Sequence, residues 1–424
     1  MKKVLLIFVA LILLVLAACT QPASGNVLQS DKPRDTAPPA RPADLTTLVE
    51  GNSYFAFDLY QALKGEEGNL FYSPYSISLA LAMTYAGARG ETEQQMADTL
   101  HFLLAQDDLH PAFNALDIEL ASRGEGAQGK DGEGFRLNIV NAIWGQKDYQ
   151  FLTEFLDTLA GNYGAGLRLL DFIRAPEESR LTINDWVSDQ TEERIKDLIP
   201  QGAIDSLTRL VLTNAIYFNA AWQYPFDEDS TRDGTFYLLD GDEVTVPMMH
   251  QTEEFGYTEG DGYQVVELPY DGRELAMVIL LPRPGKFADF ESSLDSPQVA
   301  AMIADLERRQ VVLTMPKFEF ESEFSLKQTL EAMGMPVAFS DSADFSGMTG
   351  NREFKISDVI HKAFVSVDEA GTEAAAATAV IMEMTALPPG ETVEVTMDRP
   401  FLFFIRDIDT GSILFIGRVA SPAE

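Results

Sequence analysis

Two hydrophobic periodicities run along the chain, and their distribution predicts its architecture. In the first half, apolar residues recur every three or four positions, which is the spacing of one helix face. From residue 235 onward, short apolar runs and alternating patterns typical of β-strands dominate. Helices are predicted over residues 45–63, 76–86, 92–104, 184–199, 288–293, 299–308 and 325–333, and strands over residues 135–144, 211–218, 244–249, 263–268, 275–281, 310–316, 364–368, 393–397, 401–407 and 413–419.

No stretch between the helix-rich and strand-rich halves is rich enough in proline and glycine to form a linker. The pattern therefore predicts one α+β domain, in which helices pack against large and mostly antiparallel sheets. A polar, glycine-rich stretch at residues 123–134 is predicted to be a surface loop. Its G-x-G-x-x-G at residues 124–129 follows a helical pattern instead of a strand, so a dinucleotide site is not predicted there.

The N-terminus has the features of an export signal. Lys2 and Lys3 precede an unbroken apolar run at residues 4–18, which is shorter than the roughly 20 residues that a membrane-spanning helix needs. The run ends in Leu-Ala-Ala-Cys and resembles the bacterial lipoprotein box, in which the cysteine is lipidated and becomes the first mature residue. The alternative is a plain secretory signal with an incidental Cys19. The lipoprotein interpretation predicts removal of residues 1–18 and a lipid anchor on Cys19.

A proline-rich stretch follows the predicted anchor. Five prolines lie among small polar residues between positions 20 and 42. This composition favours an extended segment without a packed core. Residues 19–43 are therefore predicted to be a tether, and residues 44–424 a folded domain.

Composition excludes several classes of function. The chain has 31 basic and 66 acidic residues, for a net charge of −35. Such a body repels phosphate backbones and anionic lipid headgroups, so nucleic acid is not a predicted partner. The single cysteine excludes an intrachain disulfide and a cysteine-based zinc site.

No catalytic motif stands out. The four histidines form neither H-E-x-x-H nor H-x-H, and no G-x-S-x-G is present. The acidic residues 227–234 lack the spacing and closing glutamate of a calcium loop. The sequence therefore predicts no catalytic residue, no metal site and no cofactor.

The most informative segment lies between two predicted strands, at residues 369–387. Its first part is rich in alanine, but it has no large apolar residue before Val380 with which a helix could anchor to a core. In an extended conformation, one face carries only Thr, Ala, Val and Met from residue 372 to 382. The same segment is thus suited both to an exposed loop and to a buried central strand, which is a property of a switch.

This segment, E-A-G-T-E-A-A-A-A-T, closely resembles the hinge of the serpin family. The resemblance extends to N-L-F-Y-S-P-Y-S-I at residues 69–77, to N-x-W-V-x-x-x-T-x-x-x-I-x-x-L at 184–198 and to L-T-N-A-I-Y-F at 212–218 with Trp222 and Pro225-Phe226 after it. It continues in H-K-A at 361–363, R-P-F-L-F-F-I at 399–405 and L-F-I-G-R-V at 414–419. These blocks occur in the family's order and cover the chain from about residue 45 to its end.

The resemblance implies a serpin fold with about nine helices, three β-sheets and an exposed reactive-centre loop over about residues 369–392. It implies suicide inhibition of serine proteases, in which the cleaved loop inserts into the central sheet, and hence an inhibitor instead of an enzyme. By resemblance, the breach at the top of the sheet contains Glu369 and Trp222. The shutter, where the strands part, contains Ser73, Ser76, Asn214 and His361. The hinge comprises Glu369, Gly371, Thr372, Glu373, Ala374, Ala375, Ala376, Ala377 and Thr378.

The usual family spacing from Glu369 gives Thr385–Ala386 as the reactive bond, and a slip of one residue gives Met384–Thr385. Neither candidate is basic, so elastase-, subtilisin- or chymotrypsin-like proteases are the expected partners of an exported monomer, either lipid-anchored to the bacterial envelope or extracellular. A non-inhibitory binding module and an inhibitor of cysteine proteases are the alternatives. From Gly371 to Thr378 the hinge has no proline and no charged residue except Glu373, which the inhibitory pattern also carries. This favours inhibition, because non-inhibitory members typically carry charged or proline residues there.

Overall fold

The structure is a computed structural model that describes residues 26–124, 136–372 and 392–423. Cys19, the hinge residues from Glu373 to Thr378, and the candidate reactive-bond residues Met384, Thr385 and Ala386 lie outside the described residues. None of the described helices is long and apolar enough to cross a membrane.

Ten α-helices and two short 3₁₀ helices occur among the described residues, most of the α-helices in the first half of the chain. The second helix shows how the sequence encodes its start. The side chain of Ser73 accepts a hydrogen bond from the backbone N–H of Ser76 (3.1 Å), and Pro74 occupies the first turn, where no N–H is needed. The helices are α1 (Pro42–Leu63), α2 (Pro74–Tyr85), α3 (Gly90–Leu100), α4 (Gln106–Ala121), α5 (Thr153–Tyr163), α6 (Pro176–Gln190), α7 (Phe287–Ser293), α8 (Ser296–Ala304), α9 (Lys327–Met333) and α10 (Ser346–Thr349).

Sixteen strands form two sheets in the described part of the chain. One sheet has seven strands in the order β1-β4-β3-β5-β13-β12-β11, and the other has nine, in the order β14-β10-β7-β8-β9-β15-β16-β2 with β6 beside β7. The strands are β1 (Asn26–Leu28), β2 (Leu70–Tyr72), β3 (Arg136–Gln146), β4 (Leu167–Leu170), β5 (Leu210–Ala221), β6 (Arg232–Tyr237), β7 (Glu243–Gly260), β8 (Tyr263–Pro269), β9 (Leu275–Pro282), β10 (Glu307–Pro316), β11 (Phe318–Ser325), β12 (Asp358–Val367), β13 (Gly371–Thr372), β14 (Val393–Thr396), β15 (Phe401–Asp407) and β16 (Ile413–Val419).

The predicted α+β class is confirmed, with two described sheets where three were expected. The reason is the 18-residue strand β7. Its first residues pair with β6, its middle with β10 and its last residues with β8. One long, continuous strand thereby joins two groups of strands into a single nine-stranded sheet.

Helix α2 forms the centre of the core. It contacts β3 and β5 of the seven-stranded sheet and β16 of the nine-stranded sheet, and all twelve of its residues are buried. A second, smaller hydrophobic cluster lies around α6, where Ile183 and Val187 pack with Trp144 of β3. The seven-stranded sheet is therefore covered on both faces, and α2 lies directly beneath its central strands.

Much of the segment predicted to be a tether is packed against the body. Strand β1 forms the edge of the seven-stranded sheet and pairs antiparallel with β4, with Asn26 opposite Leu169 and Leu28 opposite Leu167. The Ser30 hydroxyl donates to Asp157 of α5 (2.5 Å), and Arg34 forms an ion pair with Asp117 of α4 (2.6 Å). Backbone pairing and polar side chains hold this segment, and neither leaves a hydrophobic pattern in the sequence.

Candidate functional site

The seven-stranded sheet opens at one end between β5 and β12. These strands pair directly and in parallel over six residues, from Asp358 opposite Val211 to Ala363 opposite Ile216. Beyond this ladder they separate, and β13 lies between them, with Thr372 opposite both Val367 of β12 and Ala220 of β5. A strand that continued from Thr372 along the same line would have to separate the direct ladder.

Gly371 fits into this opening only because it lacks a side chain. A Cβ atom at this position would lie 2.1 Å from the carbonyl oxygen of Ala220. Thr372 is buried beside it, and its Oγ1 lies 2.8 Å from the hydroxyl of Tyr270. Gly371 and Thr372 of the predicted hinge are thus already held inside the sheet.

Trp222, predicted for the breach, closes the top of the opening. Its Nε1–H donates to the carbonyl oxygen of Asp368 (3.0 Å), and its ring stacks on that of Tyr270 at a centroid distance of 4.7 Å. Its backbone N–H donates to the carbonyl oxygen of Ala370 (2.9 Å). Trp222 therefore fastens the residues just before Gly371 to the end of β5.

Glu369 is the charged residue of the breach. Its carboxylate accepts hydrogen bonds from Lys317 Nζ and from Thr231 Oγ1, both at 2.7 Å. Burial opposes ionisation, but the hydrogen bonds from Lys317 and Thr231 outweigh it and lower the pKa of Glu369 below its ordinary value of 4.5. The carboxylate is therefore ionised at neutral pH and joins the start of β11 to the chain that enters the opening.

The four residues predicted for the shutter form one buried hydrogen-bonded cluster under the direct ladder. The Nε2 atom of His361 accepts a hydrogen bond from the backbone N–H of Ser73 (3.2 Å), so its proton is on Nδ1, which donates to Asn214 Oδ1. The amide of Asn214 donates to Ser76 Oγ and to Asn141 Oδ1. The cluster thus connects β5, β12 and β3 to the start of α2.

Burial lowers the pKa of His361 to about 3, so the ring is neutral at physiological pH. Both ring nitrogens are occupied by hydrogen bonds, and the side chain has no exposure to solvent. This histidine is suited to holding two strands together and not to accepting a proton from a substrate. Among the described residues, no group of three or more His, Cys, Asp or Glu side chains is placed to hold a metal ion.

Four residues of this site were not predicted from the sequence: Asn141, Thr231, Lys317 and Tyr270. Asn141 was the most accessible from the sequence, because it is a polar residue inside the apolar run Ile139-Val140-Asn141-Ala142-Ile143. Lys317 and Thr231 lie 52 and 138 positions from Glu369, so no local pattern connects them to it.

Comparisons with known proteins agree with this geometry. The sequence model of a family described as "Serpin (serine protease inhibitor)" matches residues 50–422. The human leukocyte elastase inhibitor is 41% identical over 387 residues, covering 88% of this chain and 99% of that protein. An uncharacterized serpin-like protein of Thermococcus kodakarensis is 42% identical, covering 89% of this chain and 86% of the relative. The solved structure of a thermophilic serpin, tengpin, in its native state has a TM-score of 0.83 at 28% identity and covers 94% of this chain and all of that one.

Proposed function

This chain belongs to the serpin family, and from that premise we propose that it is a suicide inhibitor of serine proteases. The family and the elastase-inhibitor relatives support protease inhibition instead of catalysis. The observation that carries the proposal is the position of Gly371 and Thr372 between β5 and β12. A loop that begins inside the sheet is poised to add the rest of its length as a strand.

The proposed reaction uses the protease's own chemistry. The serine Oγ of the protease attacks the carbonyl carbon of Thr385, and its proton passes through the protease's histidine to the departing amine of Ala386. The C–N bond breaks, and Thr385 remains bound to the protease as an ester. The alternative bond, Met384–Thr385, would follow the same steps.

Cleavage frees the loop to insert. Residues after Thr372 then enter between β5 and β12, separating the six direct pairs and forming hydrogen bonds to both strands. At about 0.5–1.5 kcal/mol net for each hydrogen bond, roughly a dozen inserted residues supply on the order of 10 kcal/mol. This free energy would carry the attached protease away before water hydrolyses the ester, and it requires the uncleaved state to be kinetically trapped.

The proposed targets follow from the candidate bonds. Thr385 and Met384 are uncharged and of small to medium size, which suits elastase-, subtilisin- or chymotrypsin-like proteases better than trypsin-like ones. We further propose that the protein is an exported monomer anchored to the bacterial envelope by a lipid on Cys19. A secreted, unlipidated form is the alternative.

Incubation of the chain with elastase, subtilisin, chymotrypsin and trypsin tests the proposal. A covalent complex that survives denaturing electrophoresis, together with a released fragment that begins at Ala386, is the expected result for one of the first three proteases. Clean cleavage near residue 385 by proteases that stay active would contradict inhibition of those enzymes and favour the non-inhibitory binding module. A complex formed only with a papain-like enzyme would favour the cysteine-protease alternative.

A further inference from the structure

Strand β1 fixes where the predicted lipid anchor joins the folded body. Asn26 pairs with Leu169, next to Leu170 at the end of β4. Strands β3 and β4 end, and β5 begins, at this end of the seven-stranded sheet, because Gln146 lies opposite Leu170 and Gly145 lies opposite Leu210. We call this end of the sheet the basal end. The chain therefore enters the body from Cys19 at the basal end.

The described hinge residues Gly371 and Thr372 lie at the opposite end of the sheet. Gly371 pairs with Ala221, the last residue of β5, whereas the basal end contains Leu210, the first. A strand of 12 residues spans about 36 Å at its usual rise of roughly 3.3 Å per residue. Asn26, where the predicted anchor joins the body, and the hinge thus lie at opposite ends of one sheet.

The anchor is also short. Only six residues lie between Cys19 and Asn26, and the seven steps from one to the other reach at most about 25 Å when fully extended. A tether that continued to residue 43 would reach about three times as far. Because the segment from residue 26 onward is fastened to α4, α5 and β4, a lipid on Cys19 would hold the basal end close to the bilayer.

Exposed apolar side chains surround this point of attachment. Leu207 is 76% exposed, and Ile173 and Val27 are each 42% exposed. Gln146 joins the loops that contain Ile173 and Leu207. Its side-chain oxygen accepts a hydrogen bond from the backbone N–H of Ile173 (3.1 Å), and its backbone N–H donates to the carbonyl oxygen of Arg209 (2.9 Å). Such side chains gain free energy when they enter the boundary between headgroups and acyl chains.

The distribution of charge favours the same orientation. Near the basal end, the basic residues Lys147, Arg174 and Arg209 lie among the acidic residues Asp148, Asp171 and Asp205, so the two signs are equally represented there. At the hinge end, the exposed acidic residues at 227–229 and 233 adjoin Glu369, whose carbonyl oxygen accepts the N–H of Phe226 (2.8 Å). Anionic lipids therefore repel the hinge end more strongly than the basal end.

We propose that the basal end, with Leu207 and Ile173, is a membrane-facing surface, and that the short anchor and β1 hold the reactive-centre loop away from the bilayer. The partner is a lipid surface that contains the anchor's acyl chains. This inference rests on the proposed lipidation of Cys19 and is independent of whether the loop inhibits proteases. Its function would be to present the loop to proteases that approach from solution.

Fluorescence quenching in vesicles tests the orientation. The full chain is produced in a bacterial host that processes lipoproteins, and mass spectrometry reports whether Cys19 carries lipid. Leu207→Cys and, as its matched control, Asp233→Cys are labelled with one fluorophore and reconstituted in phosphatidylethanolamine and phosphatidylglycerol vesicles with nitroxide-labelled headgroups. Quenching is expected to be several-fold stronger at position 207, and equal quenching or stronger quenching at 233 would overturn the proposal. So would an unlipidated Cys19.

A second variant tests whether the short tether sets the orientation. A flexible Gly/Ser segment inserted between residues 25 and 26 lengthens the connection and leaves β1 intact. The protein is expected to stay on the vesicles, while the difference in quenching between positions 207 and 233 is lost. An unchanged difference would overturn the role of the tether. Covalent-complex formation is measured on the same samples, so that a failure of inhibition is distinguished from a failure of orientation.

Discussion

Thr372 lies where the described chain leaves the seven-stranded sheet, and its side chain decides whether the loop can follow. It is 1% exposed, between β5 and β12, with its hydroxyl 2.8 Å from that of Tyr270. The site was accessible from the sequence because the hinge is a run of small residues beside a glycine. Its partner Tyr270 could not be predicted from the sequence, because it lies 102 positions away and contacts Thr372 only where the two sheets come together in the folded protein.

Replacement of Thr372 by arginine should convert the inhibitor into a substrate. A guanidinium cannot occupy this buried position without losing its hydration, so the start of the loop is expected to leave the sheet, and insertion then lacks the short strand from which it continues. The Thr372→Arg variant should be cleaved at the same bond by the same protease, with little or no covalent complex on a denaturing gel. The control is Thr372→Val, which keeps the volume and loses only the hydroxyl, and which should still form complex. Complex formation by both variants would contradict the proposed insertion.

His361 should make stability depend on pH. Its pKa falls from 6.5 to about 3 on folding, because burial disfavours the charged ring. Below pH 6.5 the unfolded chain therefore binds a proton that the folded chain does not, and stability decreases as pH falls toward 3. The contribution is on the order of 1.4 kcal/mol per pH unit.

Urea unfolding at several pH values between 6.5 and 4.5 measures this effect. In the His361→Gln variant, the free energy of unfolding should lose this part of its dependence on pH. In His250→Gln, which changes a half-buried position on β7, the dependence should remain. Equal slopes in all three proteins would show that His361 does not titrate on unfolding in this range.

At the scale of elements, the hydrophobic pattern locates helices better than it locates their ends. The helix predicted over residues 184–199 is α6, which runs from Pro176 to Gln190. Beyond it the backbone turns through positive φ angles at Glu192, Glu193 and Asp197, and the side chain of Asn184 bonds both backbone groups of Ile199. The apolar spacing persisted because Ile195 and Leu198 still pack on the sheet, although they do so from an irregular loop.

The segment before α1 was misjudged for a different reason. Its fastening depends on Arg34, which bonds Asn114 Oδ1 through Nε (2.8 Å) and Asp117 through its terminal nitrogen (2.6 Å). These partners lie 80 and 83 positions away, so composition alone describes the segment as a solvated tether. Polar contacts of this kind become visible only once α4 is placed against it.

Truncation of Arg34 should release this segment without unfolding the body. Arg34→Ala removes one ion pair and leaves Asn114 and Asp117 short of a partner, at a cost of about 1–3 kcal/mol. Hydrogen exchange of the backbone amides at residues 26–36 is expected to accelerate, while amides in β5 and β12 stay protected. Arg174→Ala, which removes an exposed guanidinium 3.9 Å from Asp171, is the control and should change neither region. Unchanged exchange at residues 26–36 in Arg34→Ala would show that β1 alone holds the segment.

For the whole molecule, the parallel ladder between β5 and β12 keeps the sheet closed in the uncleaved state. Parallel strands cannot be joined by a tight turn, so the chain that connects β5 to β12 must run outside the sheet. No short connection therefore prevents the two strands from separating to admit another strand between them. An inserted strand antiparallel to both would replace one parallel ladder by two antiparallel ones, continuing the pairing that β13 has begun. Antiparallel pairing is slightly more stable per residue, which favours the inserted state.

Cleavage of the loop should therefore stabilise the protein, contrary to the usual effect of cutting a chain. If insertion supplies on the order of 10 kcal/mol, the melting temperature should rise by about 10 °C or more for a domain of this size. Calorimetry before and after cleavage by a protease that does not remain bound measures the change. Thr372→Arg, cleaved at the same bond, should show no such rise, because its loop cannot enter the sheet. A cleaved wild-type chain that melts at or below the temperature of the intact one would mean that the direct ladder between β5 and β12 is the more stable arrangement. Loop insertion would then release no free energy with which to displace a bound protease.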